Sequence, residues 1–139
     1  MTRIKVKLDK NQLAHFRKLA RTTPLEVHAY LVGEIVSPSL VKVDSFVYPI
    51  EYKIQTIDSV QWSAEEFGAL HRQALAENRS VVGDIHSHPQ WDAVMSPADY
   101  SGAVVDALRV CGICSVYGSK TRVRFWVPDC ALPCEIVYK

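Results

Sequence analysis

The sequence predicts an α+β domain, a mixed central β-sheet packed by helices. Three observations lead there. At 139 residues and 48% hydrophobic content, the chain suits one domain over residues 1–139, large enough to bury roughly two thirds of the surface it exposes when unfolded. Strand patterns of period 2, or of unbroken apolar residues, are interspersed with three capped helix starts. Their order follows no strict βαβ alternation, and no repeat or linker divides the chain.

Each element has its own signal. In "RIKVKL", Ile4, Val6 and Leu8 alternate with Arg3, Lys5 and Lys7, as in a half-exposed strand whose lysines guard a sheet edge. Asp9 and Gln12 have capping-box spacing and Leu8 and Leu13 staple spacing, so a helix is expected from about Lys10 to Ala20, with Pro24 marking its end. "LEVHAYLVGEIV" and "LVKVDSFVYPI" read as neighbouring strands joined by a turn at residues 37–39. A third strand is expected near Thr56 to Gln61. Ser63 and Glu66, flanked by Trp62 and Phe67, open a second helix ending near Asn78. "SVVGDIHSH" is a largely buried strand. Ser96, Pro97 and Asp99 occupy N-cap, N1 and N3 of a third helix expected to run to about Leu108. "GICSVYGS", "RVRFWVP" and "EIVYK" supply the last strands.

Composition narrows the functional classes. A net charge of +1 with 22% charged residues is neither polyanion-binding nor disordered, so nucleic acid is not the expected partner. "MTRIKVKLDKNQ" has no apolar core of a signal peptide and no segment approaches a membrane span; the expectation is a cytoplasmic protein without membrane contact. Cys111, Cys114, Cys130 and Cys134 form C-x2-C and C-x3-C pairs that are formally a zinc pattern. Both pairs overlap strands, and reduced, unmetallated thiols are expected.

Chemistry concentrates in "GDIHSHPQWDAVMSPADY", Gly83 to Tyr100. Residues i and i+2 of a strand point to one face, their Cβ atoms some 6 to 7 Å apart, so His86 and His88 can converge on one ion. Asp99, in the first turn of the following helix, can return a carboxylate towards the strand end as a third ligand, the donor set of a catalytic zinc. Ser96 with Asp99 is also fully explained as a helix cap.

"HSHP", seven residues to Ser96, then Asp99, resembles the JAMM motif of MPN-type zinc metalloproteases, H-x-H-x7-S-x2-D. "PLEVHAYLVGE" resembles the family's upstream strand, P-x-E-V-x-G-x-L-x-G, with Pro24, Glu26, Val27, Leu31 and Gly33 in place and Ala29 where the family usually has glycine. The resemblance covers residues 24–127 and implies an MPN/cytidine-deaminase-like sandwich, like the compact prokaryotic members. It implies one Zn2+ on His86, His88 and Asp99, Glu26 as general base and Ser96 as oxyanion donor. It implies an isopeptidase or peptidase acting at the C-terminal tail of a ubiquitin-like or sulfur-carrier protein. Glu34 is the rival base; it follows Gly33, where the strand is expected to be ending, and lies about 26 Å along it from Glu26. Ala29 is expected to narrow the approach to the metal, and Trp91 and His28 are candidate substrate contacts or packing residues.

Rival readings fare differently. "DIHSH" also resembles the D-x-H-x-H signature of amidohydrolase barrels, but 51 residues after His88 do not suffice for a barrel of about 250. A zinc deaminase has H-x-E where this chain has H-x-H. A non-catalytic MPN-type scaffold or interaction module is the remaining alternative; such domains usually lack the ligands kept here.

Overall fold

In the computed structural model, the described residues are 3–89, 93, 96–97, 99, 102–103, 106–128, 130 and 132–139. The chain runs β1 (Lys5–Leu8), α1 (Lys10–Thr22), β2 (His28–Ser37), β3 (Leu40–Val47), β4 (Ile54–Gln55), β5 (Val60–Gln61), α2 (Ala64–Ala76), β6 (Ser80–Pro89), β7 (Val110–Tyr117), β8 (Lys120–Val127), β9 (Leu132–Pro133) and β10 (Glu135–Tyr138). Eight strands form one mixed sheet in the order β10-β1-β3-β2-β6-β7-β8-β9, and β4 with β5 forms a separate hairpin. The α+β class is as expected. The strand expected over residues 56–61 is instead that hairpin, with Thr56 and Ser59 closing its turn through a 2.8 Å backbone bond.

Two cores, one on each face of the sheet, follow from strand alternation. Leu13, Phe16 and Ala20 of α1 pack with Val6, Leu8, Val27, Ala29 and Leu31 on one face. Leu70 and Ala74 of α2 pack with Tyr30, Val32, Trp62, Cys111 and Ile113 on the other. Asp9 caps α1 by accepting from the Asn11 and Gln12 amides. Gln12 spends its side chain across the core edge, accepting from Phe46 N and donating to Asp44 O, so the expected capping box is only half formed. Ser63 caps α2 through the Glu66 amide, and Glu66 accepts from Ile50 N instead of reaching back.

Three expectations are corrected. β1 is not an edge strand: it lies between β3 and β10, parallel to both. Its lysines alternate towards the outer side while Val6 and Leu8 are fully buried. β2 does not end at Gly33 but continues to Ser37; Gly33 sits at a register shift where an added Cβ would run into the Lys42 carbonyl. Ala29 does not narrow the approach to the site, because its methyl is buried in the α1-side core, on the face opposite Glu26 and His28. The third helix falls largely outside the described residues. Pro97, Asp99, Gly102 and Ala103 are helical.

One irregularity positions the chemistry. Leu31 pairs with Gly83 and Val32 with Val81, so β6 holds Val82 as an extra residue opposite β2. A bulge of this kind reverses the alternation beyond it. Val81 therefore faces the α2-side core while Asp84, His86 and His88 line that same side, and Val82 and Ile85 face the α1-side core.

Candidate metal centre and its cavity

The site is built on two neighbouring antiparallel strands. His28 stands opposite His86 and Tyr30 opposite Asp84, and directly opposed residues share a face. Two residues back along the same register, with Ser87 N donating to Val27 O at 2.9 Å, Glu26 comes opposite His88. The backbone there is fastened mostly from outside the ladder. Glu26 N donates to Thr56 O, Gln55 Nε2 donates to Glu26 O, Val27 N donates to Ser87 Oγ, and the Tyr52 hydroxyl bonds both His28 N and His28 O. The β4–β5 hairpin thus serves to hold the Glu26 segment against the histidine strand.

His86, His88 and Asp99 converge. The two Nε2 atoms are 3.0 Å apart, His86 Nε2 is 3.0 Å from Asp99 Oδ1, and His88 Nε2 is 3.1 Å from Asp99 Oδ2. Both histidines are buried and the Asp99 side chain is 16% exposed. Among the described residues this is the group of three whose ligand atoms lie within 4.8 Å of one another. Ligands of a tetrahedral ion at about 2.0 to 2.2 Å stand roughly 3.3 to 3.6 Å apart, and one ligand atom from each of the three residues, all within 4.8 Å of one another, can reach that spacing by small side-chain adjustments. Two imidazoles and a carboxylate are also the donor types such an ion prefers. The residues fit the group.

Asp99 is placed by a reciprocal cap. Ser96 N donates to Asp99 Oδ2 at 2.8 Å and Asp99 N donates to Ser96 Oγ at 3.2 Å. Of the three capping pairs read from the sequence, this is the one in which both halves form. Capping uses a lone pair of Ser96 Oγ, which leaves its hydroxyl hydrogen to donate elsewhere, so the two roles of Ser96 do not compete. Ahead of it in the chain, Ala93 O accepts from Trp126 Nε1 at 3.1 Å; Trp91 lies outside the described residues.

The electrostatics follow from burial and pairing. Burial alone would lower the His86 pKa, but the hydrogen bond and charge of Asp99 raise it to about 9. Burial would raise Asp99, and the bonds from His86 and His88 hold it well below the usual carboxylate range instead. Glu26 is raised, chiefly by burial, with His86 and His88 opposing and Asp99 adding. A carboxylate in such a setting is a better base than a solvated one.

A cavity of about 550 Å3 opens on this cluster. Glu26, His86 and Asp99 line it, together with His28, Tyr30, Trp62 and Asp84. One network in it is not legible in the sequence: His28 Nδ1 accepts from Trp62 Nε1 at 2.9 Å, and His28 Nε2 is 2.9 Å from Asp84 Oδ2. Its parts come from β2, β6 and the connection between β5 and α2, whose relative placement no local pattern encodes. Glu34, by contrast, is exposed near the far end of β2. The cysteines form no such centre: Cys111 and Cys114 are buried in cores on opposite faces of the sheet, so the C-x2-C pair cannot close on one ion.

The chain matches, over residues 9–129, the family described as prokaryotic homologs of the JAB domain. No curated protein matches it in sequence. Among solved structures, the solution structure of protein DSY2949 from Desulfitobacterium hafniense is similar with a TM-score of 0.74, covering 96% of this chain and 92% of that one at 20% identity. At that identity the likeness is one of fold.

Proposed function

We propose that this chain, which belongs to the family of prokaryotic homologs of the JAB domain, is a zinc-dependent amide hydrolase that cuts a peptide or isopeptide bond at the C-terminal tail of a ubiquitin-like or sulfur-carrier protein. The JAB-domain family includes metalloisopeptidases. The observation that carries the reading is the convergence of His86, His88 and Asp99, with a buried carboxylate, Glu26, lining the same cavity as His86 and Asp99.

His86, His88 and Asp99 would hold the ion. When bound, zinc would supply Lewis-acid polarisation and make water acidic enough to attack at neutral pH. The chain's own residues do the rest. Glu26 accepts the proton of the attacking water and returns it to the leaving amine nitrogen. Ser96 directs its hydroxyl hydrogen at the carbonyl oxygen as negative charge grows there, helped by the helix N-terminus it caps. Burial of Glu26 and both histidines keeps competing water away and strengthens each of these interactions. An extended Gly-Gly tail suits the site because it presents little bulk beside the metal and all its backbone for hydrogen bonding.

The test is metal content and turnover together. The purified protein is expected to carry about one zinc per chain, lost to chelators and absent from His86→Ala and His88→Ala. The loaded protein is expected to cleave fusions joined through a Gly-Gly-terminated carrier, and neither variant is. Full zinc occupancy in either variant would overturn the ligand assignment. A zinc-free native protein, inert on such fusions, would leave the scaffold role in its place.

A further inference from the structure

We propose that the inner part of the cavity is a specificity pocket for a cationic side chain, a lysine ammonium or an arginine guanidinium, on a residue next to the scissile amide. The proposal deepens the hydrolytic reading and rests on it. At about 550 Å3, the cavity has the size of small-molecule sites and far exceeds the space of a water and an amide. Its inner wall continues along the faces that carry the metal cluster. Tyr30 follows His28 on β2, Asp84 precedes His86 on β6, and Asp106 lies beyond them.

The charge of this wall is uncompensated. His28 Nδ1 accepts the Trp62 indole hydrogen, so the imidazole keeps its one hydrogen on Nε2 and donates it to Asp84 while remaining neutral. Asp84 Oδ1 is buried without a hydrogen bond among the described residues, and the Cys111 thiol beside the Asp84 carboxylate is a weak donor. Among the described residues, Asp106 Oδ2 accepts from a neutral hydroxyl, that of Tyr30 at 3.0 Å. Among the described residues, two carboxylates thus share one wall with no lysine or arginine between them. Lys53 is the one lysine or arginine among the described lining residues, and it is exposed on the side of the β4–β5 hairpin with Asp58.

The remaining walls favour the same ligand. Tyr30, Trp62 and Phe67 line the cavity, with ring centroids 4.8 Å apart for both Tyr30–Trp62 and Tyr30–Phe67. Aromatic faces beside carboxylates attract a partly desolvated ammonium or guanidinium. Asp106, half-buried, presents the carboxylate that such a group would touch, and Asp84 acts through its charge. Two strand steps set Asp84 roughly 6 to 7 Å from His86, within reach of the long stem of a lysine or arginine whose backbone lies at the metal.

The experiment uses the full-length, zinc-loaded protein and blocked Gly-Lys-Gly, Gly-norleucine-Gly and Gly-Glu-Gly peptides. Binding is read at the Trp62 indole resonance by NMR, and cleavage of the same peptides by chromatography. The lysine peptide is expected to bind at least about tenfold tighter than the other two. Asp106→Asn, at a half-exposed position, should cut that preference to within about threefold while leaving affinity for the norleucine peptide unchanged. Asp84→Asn, which still accepts from His28, should act in the same direction. Equal binding of lysine and norleucine peptides, or an undiminished preference in Asp106→Asn, overturns the pocket. Selective binding without cleavage of any amide keeps the pocket and removes the hydrolytic reading; equally fast cleavage of lysine and norleucine peptides does the reverse.

Discussion

Glu26 and Glu34 differ in surroundings more than in sequence. Glu26 is buried beside the histidines and Glu34 is exposed near the end of the same strand. Glu26→Gln is expected to keep fold and zinc while lowering kcat by roughly 10² or more, about 3 kcal/mol of transition-state stabilisation, and Glu34→Gln to stay within a few-fold of wild type. Steady-state kinetics with a zinc assay on each variant checks this; a dead Glu34→Gln and an active Glu26→Gln would reverse the assignment. A second residue-scale prediction concerns pH. Without metal, His86 is raised from 6.5 to about 9 by Asp99, so the stability it contributes is complete below about pH 6.5 and is lost as pH rises through 9. A zinc ion held there would have to displace that proton, so affinity should climb about tenfold per pH unit towards pH 9. Melting curves should therefore fall with pH for the metal-free protein and rise at fixed, limiting zinc. His86, His88, Asp99 and Ser96 were legible in the sequence because two residues of a strand and one helical turn bring them together, all local geometry. His28, Asp84 and Trp62 were not, since their meeting depends on which strand lies beside which.

Elements formed where a cap or a period announced them. Asp9 and Ser63 start α1 and α2 as their spacing predicts, and Asn78, in a left-handed conformation with φ 57°, follows the end of α2. What the spacing did not reveal is that Gln12 and Glu66 bond to distant backbone, at Phe46 and Ile50, instead of completing their boxes. The β6–β7 pair is the element on which the site leans. These strands are parallel with Gly83 beside Val110, and a Cβ on Gly83 would run into the Val110 carbonyl and, at 2.8 Å, its Cγ2. Gly83→Ala is expected to cost about 3 kcal/mol and, by forcing the strands apart near His86, to weaken zinc binding as well. Denaturant unfolding with zinc titration tests both; unchanged stability would mean that the backbone shifts there at little cost.

At the scale of the whole molecule the sheet nearly closes on itself. β9 lies at one end of the strand order and β10 at the other, yet only Cys134 separates them in the chain. Cys134 N donates to Phe125 O of β8 and Glu135 N to Ile4 O beside β1, so two consecutive residues stitch the two ends. This is why "RIKVKL" reads as an edge strand and is not one. Its neighbour arrives from about 130 residues away, and parallel pairing over that distance leaves no trace in local alternation. The same pairing makes the order of the elements along the chain partly dispensable. Lys5 is in register with Glu135 and Leu8 with Tyr138, so the end of β10 lies only about one short strand, roughly 10 Å, from the start of β1. A flexible linker of about six residues spans that gap. A circular permutant joined there and opened in the exposed turn at Gly118 and Ser119, between β7 and β8, should fold to the same sheet and keep the same metal site, because among the described residues no candidate ligand and no wall of the cavity lies on the joined or the severed segment.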